Sequence, residues 1–188
     1  AEVEYEESLY RQTRHMANVA GIGFDAVVNK MYQHKKIKGN TGRFTYLWCL
    51  IRSFFKHKST GVKIWVDDRL MYNNLLFSLA AGVGKYNGGG IQQLPQSVAD
   101  DGLLDITLIK PLHWWHVIFR LRRLFNGEIY SIGHVQHLQG SKIRIESSPE
   151  IDLEIDGELH GGTPVELRVL HRAVKVIVNK SFIDKLKA

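Results

Sequence analysis

The segment Ile155-Asp156-Gly157-Glu158 holds the densest chemistry in this sequence. Asp152, Glu154 and Asp156 alternate with Ile151, Leu153 and Ile155, which predicts three carboxylates on one face of a strand. Glu158 follows Gly157 at the strand end, where a carboxylate can reach into a cleft and take a proton from an attacking hydroxyl. An acidic hairpin turn has the same composition, and from spacing alone it is the commoner use of such residues. Asp100-Asp101-Gly102-Leu103-Leu104-Asp105 places carboxylates and a tight turn before another strand. One carboxylate with turned backbone carbonyls suits a hard cation such as Mg²⁺, water filling the remaining positions; a solvated acidic turn fits equally well. Two glycine segments, Asn18-Val-Ala-Gly21-Ile-Gly23-Phe-Asp25 and Asn87-Gly88-Gly89-Gly90, let backbone approach a ligand or adopt positive φ. Most such loops are turns, and neither matches the dinucleotide or P-loop fingerprint.

Histidine and cysteine chemistry is thin. His113 with His116, and His134 with His137, have i, i+3 spacing, but the single Cys49 completes no zinc set. Packing or solvated histidines are the expectation. One cysteine also excludes an internal disulfide framework, and no secretory signal is present.

The elements that must hold these residues alternate irregularly. Glu2 to Arg14 is polar and acidic, a lead-in strand or a connector. Met16 to Gly23 suits a buried strand ending in glycines, and Asp25 to Lys38 a polar helix. From Gly42, a second helix carries Phe44, Leu47, Trp48, Ile51, Phe54 and Phe55 along one apolar face. Val62 to Val66, the turn Asp67-Asp68 and the return from Leu70 read as a hairpin. Leu75 to Gly82 and Leu103 to Lys110 read as further strands. Pro111 opens a helix with Trp114 and Trp115, followed by Arg120, Arg122 and Arg123. Four short strands close the chain, at Lys142 to Glu146, Ile151 to Ile155, Val165 to Val169 and Val174 to Val178. The expected fold class is mainly β (α+β), a β-sandwich with two or three helices, in one domain spanning residues 1–188.

The chain has 188 residues, 44% of them apolar and 23% charged, so it is neither disordered nor membrane-embedded. Its apolar runs fall short of the ~20 residues that span a bilayer. A formal charge of +6 draws it toward phosphate-bearing partners, whether nucleotide, nucleic acid or anionic lipid. Nucleic acid is the poorer choice, since no zinc finger or RNA-recognition motif is present and the basic residues are read as dispersed among acids.

Four motifs in order carry a resemblance. Asn18-x-Ala-Gly-x-Gly-Phe-Asp25, Tyr86-Asn-Gly-Gly-Gly90 with Pro95, Asp101-Gly-Leu-Leu-Asp105 and Ile155-Asp-Gly-Glu158 together resemble the C-terminal domain of the diacylglycerol kinase/sphingosine kinase family. The similarity is to its bacterial soluble lipid kinases, from about residue 14 to 180. In that family a C-terminal β-sandwich packs on an N-terminal α/β ATP domain, with the active cleft between them. The resemblance implies that Glu158 is the general base and that Asp156 supports it or faces the nucleotide's metal. It implies Mg²⁺ at Asp101 with the Val98 and Leu103 carbonyls, and a lipid head-group near Asp25, Gly21 and Gly23. Arg43, Asn87, Gly88, Gly89 and Gly90 fall on the side of the ATP phosphates.

The family's Gly-Gly-Asp-Gly-Thr motif, which belongs to the ATP domain, is absent from these residues. The expectation is therefore the lipid-side half of an ATP-dependent lipid kinase, inactive without an upstream ATP-binding domain. The alternative is a non-catalytic lipid- or membrane-binding module. Either is expected in the cytoplasm, peripheral at an anionic membrane, with Trp114, Trp115 and Arg120 to Arg123 as a docking surface or, more commonly for such a helix, as ordinary core packing. A separated half would also expose apolar surface open to homodimer formation.

Overall fold

Two hairpin turns of the same kind set the register of the sheet. Asp67 and Asp68 have φ of 47° and 64°, and Asp156 and Gly157 have φ of 50° and 91°. Paired positive φ at the two central residues is the mirror-image turn whose twist matches the strands it joins. The first links β4 (Thr60–Val66) to β5 (Arg69–Leu76), and the second links β10 (Asp152–Ile155) to β11 (Glu158–Arg168).

The computed structural model describes residues 1–8, 10–37, 42–87, 90–113, 120–175 and 177. The remaining strands are β1 (Glu2–Glu7), β2 (Tyr10–His15), β3 (Val19–Gly23), β6 (Ser78–Gly82), β7 (Leu104–Ile109), β8 (Val135–Gly140) and β9 (Lys142–Ser148). All eleven join one curled antiparallel sheet in the order β5-β4-β9-β11-β10-β3-β6-β7-β8, with β1 on β11 and β2 on β1. The curl lets one face pack on itself: Ile64, Ile145 and Leu167 meet Ile22, Leu79, Ile106 and Leu153 in one buried cluster. The fold is mainly β, as its alternating segments predict.

Helices α1 (Phe24–Ile37) and α2 (Arg43–Lys56) cover part of the other face. Phe24, Val28, Cys49, Leu50, Phe77 and Ile91 form a second buried cluster there. Among the described residues no helix is long and apolar enough to cross a membrane.

Several expectations change. The lead-in segment is a hairpin, β1 and β2, whose second strand is exposed throughout. The run Leu75 to Gly82 breaks at Phe77 into β5 and β6. β8 carries only a weak alternation and was not foreseen. Residues 174, 175 and 177 form no strand, and Val174 and Ile177 are exposed. Pro111 to His113 are not helical, and Trp114 and Trp115 lie outside the described residues. The largest change concerns α2: of the one apolar face expected, Phe44, Trp48, Ile51 and Phe55 face outward, while Phe54 packs on the protein together with Cys49, Leu50 and Ser53.

That reversal is measurable in urea melts. Leu50→Ala should cost about 2–4 kcal/mol, whereas Ile51→Ala, one residue on, should change stability by less than about 0.5 kcal/mol. Equal costs would place the stripe back against the sheet.

Candidate functional site

The candidate site is built around β3, α1 and the β10–β11 turn. β10 pairs with β3, Glu154 opposite Gly21 and Ile155 opposite Ala20. The turn therefore lies at the start of β3. There the Asp156 carboxylate accepts three backbone N–H groups, from Ala17 at 2.6 Å, Asn18 at 2.9 Å and Val19 at 3.0 Å. A carboxylate taking charge-assisted bonds from a run of peptide groups fixes the chain path into β3. Asp156 is thus engaged in holding the turn, and its two oxygens are occupied from within the chain.

Gly157 is held on both sides. Its N–H donates to Glu154 Oε1, and its carbonyl accepts from Asn29 Nδ2 at 2.7 Å and Gln33 Nε2 at 2.8 Å. Asn29 and Gln33 are one turn apart on α1, so the helix clamps the turn. Glu158 follows as the first residue of β11, exposed and opposite Ile155. Asp152, Glu154 and Asp156 do not share a free face. Asp152 is paired with Lys30 of α1, Glu154 is buried, and Asp156 sits in the turn itself.

Glycine is required at Gly21 and Gly23 by the chain's own packing. A Cβ on Gly21 would stand 2.7 Å from Glu154 Oε2 and 2.8 Å from Asp25 Cβ. Gly23 has φ +83° and would place a Cβ 2.9 Å from the Phe77 carbonyl oxygen. Both carboxylates beside Gly21 hold protons tightly. Burial pushes the Asp25 carboxyl up to about 6, against the hydrogen bond from Gln93. Burial and then the Asp25 charge push Glu154 up to about 7.

Asp25 also opens into an apolar cleft walled by Phe24, Val28, Leu50, Phe54, Phe77 and Ile109. Asn87 and Gln93 join it in the lining. Gln93 Nε2 donates to Asp25 Oδ2 at 2.6 Å, Asn87 Nδ2 donates to Gln93 Oε1 at 2.8 Å, and the Thr107 hydroxyl donates to the Gln93 carbonyl at 2.6 Å. Gln93 is the hub of this group and was not foreseen. It lies between a glycine loop and Pro95, where no periodic pattern marks it.

Other expected residues lie apart. Arg43 is the first residue of α2, and its side chain, like Gly88 and Gly89, is outside the described residues. Gly90 has φ +89° and open space around it. Arg120 lines the cleft, and Arg123 donates to the Ser131 carbonyl and hydroxyl. His137 bonds the buried Asp105 at 2.7 Å and stacks on Tyr130, a packing role.

Asp101 Oδ1 accepts the Leu103 N–H at 2.9 Å, and Gly102 turns the chain at φ +81°. Among the described residues no three His, Cys, Asp or Glu gather at one point. The donors present, one carboxylate with main-chain and water oxygens, fit a hydrated Mg²⁺ in chemistry. The loop enters β7, three strands from β10 across the sheet. At about 4.8 Å per strand that is about 14 Å, so an ion there would brace the loop rather than reach Glu158.

A curled antiparallel sheet carrying an apolar cleft and an Asp-Gly-Glu turn defines a β-sandwich-like domain. The family model described as the YegS C-terminal NAD kinase beta sandwich-like domain matches residues 18–178, and the chain belongs to that family. It is 24% identical over 152 residues to the diacylglycerol kinase of Bacillus subtilis (strain 168), covering 80% of this chain and 50% of that protein. The chain thus spans half the length of that curated relative. A solved structure described as a diacylglycerol kinase from Bacillus anthracis str. Sterne is 19% identical with a TM-score of 0.53, over 90% of this chain and 50% of that one. A second structure from the same organism is 24% identical with a TM-score of 0.61, over 90% and 54%. At these identities the structures establish the fold.

The raised carboxyls give a pH signature. A carboxyl that holds its proton more tightly when folded contributes no penalty below its unfolded pKa. It lowers stability as pH rises toward its folded pKa. Glu154→Gln should flatten the loss of stability between roughly pH 4.5 and 7, by about 1–3 kcal/mol in total. Parallel curves for wild type and variant in pH-dependent melts would contradict the tightly held proton.

Proposed function

We propose that this chain is the acceptor-side half of an ATP-dependent lipid kinase, which phosphorylates the hydroxyl of a lipid such as diacylglycerol or a sphingoid base. One observation carries the reading. The apolar cleft that ends on Asp25, Gln93 and Asn87 is joined through α1 to the clamped turn that presents Glu158. Acyl or alkyl chains suit the aromatic and aliphatic walls, and the hydrogen-bonded amides and carboxyl suit a polar head-group.

In this reading the Glu158 carboxylate accepts the proton of the lipid hydroxyl. The hydroxyl oxygen forms a bond to the γ-phosphorus of ATP as the bond to the β–γ bridging oxygen breaks, and ADP leaves. Asp156 positions Glu158 by fixing the turn. Arg43, Asn87, Gly88, Gly89 and Gly90 are the residues assigned to the nucleotide, whose phosphates are cradled by an upstream ATP-binding domain. Phosphoryl transfer depends on positioning both reactants, so these residues alone are inactive. The chain acts as one substrate-side unit, in the cytoplasm and peripheral at an anionic membrane. Mg²⁺ at Asp101, with the Val98 and Leu103 carbonyls, would brace the loop into β7.

A second reading, a lipid-binding module without catalysis, rests on the apolar cleft with its polar end. Phosphate transfer from labelled ATP into a total lipid extract separates the two. It is run with the chain alone and with the chain joined to its upstream residues. Transfer only in the longer form supports the kinase and its labelled product names the acceptor. Lipid binding with no transfer in either form supports the module.

In the active form, Glu158→Gln should lower kcat about 10²–10⁴-fold, with little change in Tm because the side chain is exposed. Near-normal turnover would remove Glu158 as the base. Mg²⁺ at about 100 times its dissociation constant should stabilise the wild type by about 2.7 kcal/mol and leave Asp101→Ala unchanged. An equal response in both would remove the ion from Asp101.

A further inference from the structure

Helix α2 has two apolar faces. Phe44, Trp48, Ile51 and Phe55, spaced by four, three and four residues, are 89%, 45%, 50% and 67% exposed. On its inward flank Leu50 and Phe54 form part of the cleft wall. A contiguous row of large apolar side chains on a water-facing helix marks an interaction surface.

The charge around this row is one-sided. Between Asp25 and Asp67 the chain carries nine of its 25 Lys and Arg and none of its 19 Asp and Glu. The basic residues are therefore not dispersed here, and the excess positive charge of the chain is concentrated between residues 26 and 66. Two of these cations stand at the stripe itself: Lys35 Nζ is 4.7 Å and Arg52 Cζ 5.2 Å from the Trp48 ring centre. Aromatic and aliphatic side chains rimmed by cations on an acid-free helix have the composition of a helix lying in a lipid interface. A second copy seated stripe to stripe would bring Lys35 and Arg52 against their own equivalents, and like charges oppose that pairing.

We propose that the outward face of α2 docks the protein on an anionic bilayer. Phe44, Trp48, Ile51 and Phe55 enter the head-group boundary while Lys35 and Arg52 meet lipid phosphates or carboxylates. The same helix walls the cleft, so docking would bring the cleft beside the membrane; that last step alone rests on the lipid-kinase reading.

The test is co-sedimentation with phosphatidylcholine vesicles with and without phosphatidylserine, in the absence of ATP. Wild type should sediment with the anionic vesicles only, and less so as salt is raised. Phe44→Ser/Ile51→Ser and, separately, Arg52→Glu should each weaken partitioning by about tenfold or more. Leu70→Ser/Met71→Ser removes two exposed apolar side chains on β5 and should sediment as wild type. Circular-dichroism melts establish that each variant folds. Sedimentation of the α2 pair at wild-type levels overturns the proposal. So does a wild type that ignores anionic vesicles and instead elutes as a dimer broken by the α2 pair, or covers the stripe with its upstream half. Transfer to a detergent-dispersed acceptor is read in parallel with the chain joined to its upstream residues: its failure with sedimentation intact counts against the kinase and leaves the docking face standing.

Discussion

Three peptide N–H groups converging on the Asp156 carboxylate are the constraint on which the rest of the site depends. They tie the turn between the last two strands to the beginning of a strand formed some 140 residues earlier in the sequence. β3 then places Gly21 between Glu154 and Asp25, and α1 leaves β3 at Gly23 and runs back to clamp Gly157. The position of Glu158 is thus settled by a short-range turn, a long-range carboxylate cap and a helix.

The interior behind that turn is polar where most β cores are not. Glu154 is almost fully buried, and its neighbour Asp25 is bonded to Gln93. Burial disfavours the charge on both carboxyls and raises their pKa values, and hydrogen bonds from Gln93 and the Gly157 N–H offset part of that cost. The narrow spacing around Gly21 leaves no room for a side chain that would separate them.

Most strands were legible because a buried face writes a clear alternation, as in Val62 to Val66 and Ile143 to Ile145. The Asp67-Asp68 and Asp156-Gly157 turns were legible from composition. β2 was not, since an exposed edge strand has no apolar face to show. α2 misled for a different reason. Its periodicity correctly marks a helix, but apolar residues occur on both sides, and periodicity does not say which side meets the protein. At the site, the Asp-Gly-Glu turn was visible from the sequence, whereas Glu154 and Gln93 became apparent only through burial and long-range hydrogen bonds. The hairpin reading of the turn and the functional one proved compatible: Asp156 builds the hairpin, and Glu158 is carried by it.

The strand order also governs how the chain reaches this state. β3, β6, β7 and β8 form one contiguous run, and β4 with β5 form another. The two are joined through β9, β11 and β10, all of which lie beyond residue 141. During synthesis the two partial sheets have no common partner until those strands emerge. The β1–β2 hairpin, made first, likewise waits for β11. Such non-local pairing delays folding and leaves strand edges open. The clamped turn, which belongs to those late strands, assembles among the last features of the molecule, whereas the residues that line the cleft all lie between Phe24 and Val135 and precede them.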